Sequence, residues 1–231
     1  MKQTMTYIDF HTHQVPVGQD VVAVVDGRDT WGIHPWEAYP QPLQAYPQPL
    51  PKGMGESKSF PLGEDLGEAL GEDLGEASRC LAIGECGLDA LRGPSLSVQE
   101  EVFVRQVMLS EALGKPLIIH CVRALDRLLH LRKSLRPKQS WMLHGFRGKP
   151  QQLRSLVDAG FYVSFAPQHN EESLLLCPAE RLMLETDADA ETSIKELYNN
   201  VARKRGLDVT DLCSLMAENY RAFFRKELHI I

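Results

Sequence analysis

Residues 80–89 read CLAIGECGLD, and this stretch, together with the segments that follow it, decides the predicted fold. Its first half is apolar and ends at Glu85, as expected of a buried strand that stops at a polar residue. Residues 98–113 then carry apolar side chains at helical spacing, and residues 117–119 form a second apolar run that ends at His120. A strand, a helix and a strand in this order predict a βα unit with parallel strands.

The same alternation continues to the end of the chain. Further apolar runs occupy residues 140–143, 161–165 and 182–184, and a similar run, residues 7–10, precedes His11. Such alternation predicts an α/β fold. In a barrel of this class the active-site groups project from the C-terminal ends of the strands. Helix-like stretches lie between and after the later runs, at Ala124–Leu135, Pro150–Ala159, Ser193–Arg205 and Thr210–Phe224.

The first third of the chain departs from this pattern. Only seven residues separate His13 from Val21, and four separate the apolar run Val21–Val25 from the next run, Thr30–Ile33. A parallel crossover usually needs about a dozen residues. The Asp-Gly pair between the two runs is typical of a tight turn. We therefore predict a hairpin of these two runs, in an architecture of about seven parallel strands that is distorted and trimmed in its first third.

Two short tandem duplications follow, within residues 38–79. AYPQPLQ is followed by AYPQPLP, and LGEDLGEA is repeated without change. Two copies are too few for a solenoid. The Pro-rich copies are expected to be extended, and the second pair, with Leu at every fourth position, is expected to form a marginal surface helix. We predict one domain, residues 1–231, with residues 38–79 as a low-complexity insert.

Charge and cysteine content limit the partners and the compartment. The net charge of −6 excludes a protein that binds nucleic acid by positive charge alone, because such binding needs clustered Lys and Arg. Five cysteines with no CxxC pair indicate a reducing compartment. No signal-like apolar segment follows Met1, and no run of about 18 apolar residues occurs. The sequence thus predicts a cytoplasmic protein without a membrane partner.

Most of the predicted strands are followed by a histidine or an acidic residue. Two imidazoles at i and i+2 of a strand point the same way and can share one ion, and a buried carboxylate is costly unless it is paired or bound to metal. Each residue has an ordinary alternative: a polar loop, a cation pair, a satisfied core histidine, or a helix N-cap for Asp187. Together they predict a metal site with ligands at His11, His13, Glu85, His120, His144 and Asp187.

This ligand set indicates the kind of ion and the kind of reaction. Mixed nitrogen and oxygen ligands suit Zn²⁺, Mn²⁺, Fe²⁺ and, less well, Mg²⁺. Two ions about 3.5–4 Å apart would clamp the attacking and leaving oxygens of a phosphoester. Asp187 could bind metal and also accept a proton from the attacking water. We predict a hydrolase that uses two divalent ions on a phosphoester substrate.

Six motifs follow one another along the chain: DFHTH at residues 9–13, GIHP at 32–35, IGECGLD at 83–89, LIIH at 117–120, HGFRG at 144–148 and ETD at 185–187. In this order they resemble the TatD-type metal-dependent hydrolases, a family of deoxyribonucleases in the amidohydrolase-like superfamily. The resemblance covers the chain except residues 14–29 and 37–79. It implies a TIM-like (β/α) barrel, phosphodiester hydrolysis on DNA ends or nucleotides, and a monomer or weak oligomer.

The resemblance also implies a role for each residue. One ion would be held by His11, His13, Glu85 and Asp187, and the other by Glu85, His120 and His144. Asp187 would orient or deprotonate the attacking water. His34 would face the substrate phosphate, with a turn cap as its alternative role. Arg123 and Arg147 are the cations expected to contact the substrate.

Three departures from the family pattern bear on the substrate. The region after His13 is short, Val122 stands where the family usually has Arg, and Ala90 stands where an aromatic residue is more common. None of them touches the predicted metal ligands. They leave the identity of the substrate open, and deoxyribonuclease activity in particular.

Two other functions stay open at this point. One is an amidohydrolase-type deaminase or amide hydrolase, although many of those enzymes use a carboxylated Lys where this chain has Glu85. The other is a barrel that binds metal without catalysis. Six costly ligand residues argue against that second alternative.

Overall fold

The structure, a computed structural model, describes residues 5–16, 18, 20–39 and 75–228. It divides into two compact units: a terminal unit, made of residues up to Asp29 and from Ser140 onward, and a central unit, Thr30–Gln139. The single domain 1–231 stays a prediction. Residues 40–74, which hold most of the predicted insert and its surface helix, lie outside the described residues.

The helices and strands of the described residues follow the predicted alternation. In this part of the chain, no helix is long and apolar enough to cross a membrane. The strands are β1 (Tyr7–Thr12), β2 (Val21–Val25), β3 (Thr30–Trp31), β4 (Ala82–Asp89), β5 (Leu117–Val122), β6 (Trp141–Leu143), β7 (Tyr162–Phe165) and β8 (Leu182–Leu184). The helices include α1 (Leu96–Leu113), α2 (Leu125–Leu135), α3 (Pro150–Asp158), α4 (Glu171–Leu176), α5 (Ile194–Arg205) and α6 (Val209–Phe224), with short 3-10 turns at Pro35–Glu37 and Ala179–Arg181.

Every strand pairing described within a unit is parallel. In the terminal unit β1 pairs with β2, and β6, β7 and β8 are neighbours in that order. In the central unit β3, β4 and β5 are neighbours in that order. The strands are buried along most of their length. Parallel strands covered on both faces by helices are expected to be continuously apolar, which is how their runs read in the sequence.

The predicted hairpin of residues 21–25 and 30–33 is wrong. Val21 of β2 pairs in parallel with Tyr7 of β1, and Thr30 of β3 pairs in parallel with Ala82 of β4. The requirement of about a dozen residues holds for a crossover connection that contains a helix. An extended return covers about 3.3–3.6 Å per residue, so the short segment after β1 is long enough to reach the start of a neighbouring parallel strand.

Aromatic side chains of α5 and α6 hold β1 in the core of the terminal unit. The ring of Phe10 packs 6.5 Å from that of Phe224 and 6.3 Å from that of Tyr220. The buried Tyr198 hydroxyl donates to the Ile8 carbonyl at 2.8 Å and accepts from the Ile8 amide at 3.0 Å. Because both backbone groups of Ile8 use this one hydroxyl, Tyr198 fixes the position of the strand that carries His11.

Replacing Tyr198 with Phe is expected to lower the free energy of unfolding by about 1–3 kcal/mol, because the variant leaves buried backbone groups of Ile8 without a partner. Urea denaturation of the two proteins measures the difference. Tyr39→Phe serves as the control, since the Tyr39 side chain is 73% exposed and its hydroxyl can be replaced without burying an unpaired group. Equal stability of Tyr198→Phe and wild type would show that water replaces the lost hydroxyl.

Candidate metal centre

Glu85 is presented by an irregular stretch in the middle of β4. Ile83 pairs with Leu117 and Cys86 pairs with Ile119, so β4 has one residue more than β5 between these pairs. An extra residue in one strand turns the neighbouring side chains out of the regular alternation. Gly84, which directly precedes Glu85, permits this irregularity, because it has a positive φ of 153° and packs tightly on β5.

Gly87 allows an equally close approach two residues further on. A Cβ at this position would lie 1.9 Å from the carbonyl oxygen of His120. No side chain can occupy that space. The two glycines therefore keep β4 against β5, which brings Glu85 and His120 to the same end of the central unit.

Three side chains meet there and are called the central cluster: His34, Glu85 and His120. Glu85 Oε2 lies 3.6 Å from His34 Nε2, and Glu85 Oε1 lies 4.0 Å from His120 Nδ1. Each of the three residues offers one ligand atom, and those atoms lie within 4.8 Å of one another. Glu85 is nearly buried, so its charge has to be balanced locally.

Asp89, at the end of β4, orients His120. Asp89 Oδ2 lies 3.2 Å from His120 Nε2 and accepts a 2.6 Å hydrogen bond from the Trp36 indole. Burial raises the pKa of this carboxyl, but hydrogen bonds from Trp36, Leu91 and His120 outweigh it, so the pKa lies below its usual value. An ionised Asp89 can only accept, so Nε2 of His120 carries the proton and Nδ1 faces Glu85. This is the arrangement in which a carboxylate orients a metal-binding imidazole.

β1 carries the first residues of a second group in the terminal unit. Between the pairs Asp9–Ala23 and Thr12–Val25 the register of β1 shifts by one residue, beside His11. As at Glu85, such an irregularity re-aims the neighbouring side chain. The imidazoles of His11 and His13 lie 5.1 Å apart, and both face Asp187: the Nε2 atoms lie 3.9 and 3.5 Å from Asp187 Oδ1.

The backbone of β1 holds Asp187 in this position. The Asp187 amide donates to the His11 carbonyl at 3.0 Å, and the His13 amide donates to the Asp187 carbonyl at 3.2 Å. Asp187 adopts a left-handed conformation with φ of 54°, which is uncommon outside Gly, Asn and Asp. The N-cap of α5 is Ser193, with Glu196 completing a capping box. The alternative of a helix cap for Asp187 is therefore wrong.

His144, directly after β6, completes what we call the terminal cluster: His11, His13, His144 and Asp187. The rings of His144 and His11 lie 4.6 Å apart, and one atom from each of His11, His144 and Asp187 lies within 4.8 Å of the others. Glu185 is completely buried, and its Oε1 accepts a hydrogen bond from the Gly145 amide and lies 3.6 Å from His144 Nδ1. Glu185 can therefore orient His144.

The donors in both clusters fit a divalent ion. Imidazole nitrogens and carboxylate oxygens are ligands of Zn²⁺, Mn²⁺ and Fe²⁺, and in each cluster three such atoms lie within 4.8 Å of one another. The grouping adds one residue to the sequence prediction, since His34 joins Glu85 and His120 in the central cluster. Within the terminal unit, His144 groups with His11 and Asp187. The assignment of ligands to individual ions stays a prediction.

The remaining predicted substrate residues lie near strand ends. His34 caps the 3-10 turn by accepting from the Trp36 amide at 3.3 Å through Nδ1, so the turn-cap role is present together with its place in the central cluster. Arg123 follows β5 directly and is exposed. Arg147 is exposed and donates to Gln168 at 3.2 Å. Substrate contact by these three residues stays a prediction.

Several supporting residues were not predicted from the sequence. Asp9 is buried and accepts from the amide and hydroxyl of Thr186 at 2.9 and 2.7 Å, although burial raises its pKa to about 7. Asp89, Glu185 and Trp36 are the other additions. Asp9, Asp89 and Glu185 all lie within the quoted motifs, so the sequence could have marked them as candidates. Their spacing does not say which carboxylate faces a cluster and which one orients a histidine of that cluster.

Comparison with known proteins places the chain in a family. The sequence model of the family "TatD related DNase" matches residues 26–225. The "3'-5' ssDNA/RNA exonuclease TatD" of Erwinia tasmaniensis is 31% identical over 170 residues, which cover 62% of this chain and 66% of that protein. The protein of the same name from Edwardsiella piscicida is 37% identical over 121 residues, 47% of this chain and 45% of that protein. The chain thus matches less than two thirds of the length of these relatives.

Two crystal structures share the fold. A TatD homologue from Escherichia coli K12 superposes with a TM-score of 0.65 at 20% identity, covering 90% of this chain and 78% of that one. A TatD-family hydrolase from Entamoeba histolytica gives 0.59 at 16% identity, covering 70% and 69%. These likenesses confirm the predicted α/β fold of the TIM-barrel class. With a family match that spans most of its length, the chain belongs to the TatD-related DNase family.

Proposed function

We propose that this protein is a divalent-metal-dependent phosphodiesterase that acts on single-stranded nucleic-acid ends. The observation that carries the proposal is the terminal cluster, in which a carboxylate fixed by the backbone faces two imidazoles at 3.5 and 3.9 Å. The names of the relatives, which are 3'-5' exonucleases of single-stranded DNA and RNA, supply the substrate class.

In this proposal both clusters contribute metal ligands, and the terminal cluster also contributes the general base. As the family resemblance implies, His11, His13, Glu85 and Asp187 would hold one divalent ion, and Glu85, His120 and His144 would hold the other. Divalent ions held by these ligands would supply Lewis acidity and lower the pKa of bound water. Asp187 would accept the proton of the attacking water through Oδ2, since Oδ1 is the atom that faces the two imidazoles.

The cationic and neutral donors orient the substrate. His34 faces the phosphate, and the exposed guanidinium groups of Arg123 and Arg147 pair with the neighbouring phosphates. A planar guanidinium suits this task because it can donate two parallel hydrogen bonds to a phosphate. With a net charge of −6, the chain depends on such local contacts and not on a general positive field.

Chemistry based on a cysteine nucleophile is not supported. Burial raises the pKa of the Cys86 thiol well above its usual value, and burial raises that of Cys121 to about 12. The thiolate is the reactive form. Neither of these two thiols is therefore a nucleophile near neutral pH.

Chelator-treated protein reloaded with Mn²⁺, Zn²⁺ or Mg²⁺ tests the proposal. The substrates are single-stranded DNA and RNA labelled at either end, together with an aryl amide and free nucleosides. Metal-dependent shortening from the 3' end, more than one ion per chain by elemental analysis, and loss of activity on chelation are expected. Deamination or amide cleavage without phosphodiester cleavage would make the chain an amidohydrolase-type enzyme, and bound metal without any turnover would make it a non-catalytic barrel.

Asp89→Asn is expected to weaken divalent-metal binding by about 10- to 100-fold, as is typical when the partner of a metal-binding imidazole is changed. The amide can still accept from Trp36, but it no longer carries the charge that holds the His120 proton on Nε2. Titration with Zn²⁺ against a competing chelator measures the affinity. Asp126→Asn, in the first turn of α2, is the control, and an unchanged affinity of Asp89→Asn would mean that Asp89 only supports the turn that follows β4.

A further inference from the structure

Trp36 combines exposure with a fixed orientation. Its side chain is 42% exposed, although Trp is usually largely buried. The indole nitrogen donates to Asp89 at 2.6 Å, so one edge of the ring is tied down. The ring centroid lies 4.5 Å from that of His34 and 5.8 Å from that of His120. A large aromatic surface is therefore held in place beside the central cluster, in contact with solvent.

Arg92 adds a cation to this aromatic surface. Its guanidinium carbon lies 4.6 Å from the Trp36 ring centroid, a distance at which cation and ring attract. The next residue, Gly93, has a φ of 80°, and a Cβ there would lie 2.7 Å from the Pro35 carbonyl oxygen and 2.8 Å from the Trp36 Cα. The segment after β4 thus packs directly on the 3-10 turn, and both residues belong to one packed structure.

Such a pair suits one kind of ligand. Bases of single-stranded nucleic acid that have left the stack are bound by stacking on aromatic rings and on guanidinium planes. A base attached to a phosphate held at the central cluster lies one sugar away, which is the scale of the separations between Trp36 and the two imidazoles. An ordered ring also loses little side-chain entropy when a base stacks on it.

We propose that Trp36, with Arg92, is a nucleobase-stacking subsite of the central cluster. This inference rests on the proposed phosphodiesterase function and deepens it. Stacking tolerates any base, because every base presents a π face. The subsite therefore selects for substrates with an unpaired base next to the cleaved phosphodiester, and against duplex ends and base-free phosphodiesters.

The test compares two oligonucleotides that differ only at the 3'-terminal unit, which is an ordinary deoxyadenosine in one and an abasic site in the other. Trp36→Ala is expected to lower kcat/KM on the ordinary oligonucleotide by about 5- to 150-fold, the range that base–aromatic stacking supports. On the abasic oligonucleotide the same variant should lose only the part that follows from the missing hydrogen bond to Asp89, so the readout is the ratio of kcat/KM between the two oligonucleotides. Trp36→Phe keeps a ring but not the donor to Asp89, and should retain most of the preference for the base.

Leu175→Ala is the matched control, because Leu175 is an exposed apolar residue of the terminal unit at 43% exposure. Binding of both labelled oligonucleotides to metal-free protein is measured in parallel. Equal losses on the two substrates for Trp36→Ala, in rate and in binding, would overturn the subsite and leave Trp36 as a support for Asp89. Base-dependent binding that Trp36→Ala abolishes, with no cleavage by wild type, would uphold the subsite and overturn the phosphodiesterase.

Discussion

Asp187→Asn is expected to keep at least one divalent ion and to lose phosphodiester hydrolysis by about 10²–10⁴-fold, the usual loss when a general base is removed. The amide keeps the size of the side chain and one oxygen that can bind metal, but it loses the charge and most of the basicity. Turnover at pH 7 and elemental analysis of the same preparation measure the two effects separately.

The fold should tolerate this change. Asn adopts a left-handed conformation at least as readily as Asp, and the hydrogen bonds that join residue 187 to His11 and His13 use backbone groups only. Asp189→Asn, in the same segment, is the control, because the Asp189 carboxylate accepts from the backbone amides of Glu191 and Thr192. Near-normal turnover of Asp187→Asn at pH 7 would assign Asp187 a structural role and require another base.

Glu85→Ala should have a larger effect, with loss of bound metal as well as of activity. Glu85 is the only carboxylate of the central cluster, and its two oxygens face His34 and His120. A divalent ion contributes several kcal/mol to the stabilisation of a phosphoryl transition state, and each factor of ten in rate requires about 1.4 kcal/mol. Hydrolysis should therefore fall by about 10³-fold or more, and elemental analysis should find fewer ions per chain.

Glu101→Ala gives the control for removal of a carboxylate from the central unit, because Glu101 lies on α1 with a side chain that is 46% exposed. Circular dichroism of both variants confirms that the helices remain. Two results would contradict the proposed role of Glu85. One is that the alanine variant binds as many ions per chain as wild type; the other is that it hydrolyses the substrate at the wild-type rate at the same metal concentration. Either result would mean that another carboxylate is the shared ligand, and Glu185 is the next candidate.

Local sequence was sufficient where a pattern repeats along one element. The βα units from residue 80 onward and the bounds of α1, α2, α3, α5 and α6 follow from apolar spacing, and they agree with the structure to within two residues at each end. Metal-capable residues such as His120 and His144 were found because each ends an apolar run. A parallel sheet places such ends together, so position along the chain predicts position in the fold.

The same reasoning failed where chain length had to predict connectivity. The segments beside Val21 and Thr30 are too short for helical crossovers, and the Asp-Gly pair favoured a hairpin. Each strand instead pairs in parallel with a different partner. The Asp26-Gly27 pair does form a turn, in which the Arg28 and Asp29 amides donate to the Val25 carbonyl. Because β2 pairs with β1, this turn does not join two antiparallel strands.

The sequence by itself determined the fold class, the family and the residue types of the metal centre, because these depend on periodic patterns and on ligand chemistry. Only the tertiary structure decided which carboxylate faces an imidazole and which supports one. Glu85 reaches His34 beside the point where β4 gains a residue, and Asp89 reaches His120 because Gly87 brings β4 and β5 into contact. These relations join residues that are distant along the chain, and no local spacing encodes the distance between them.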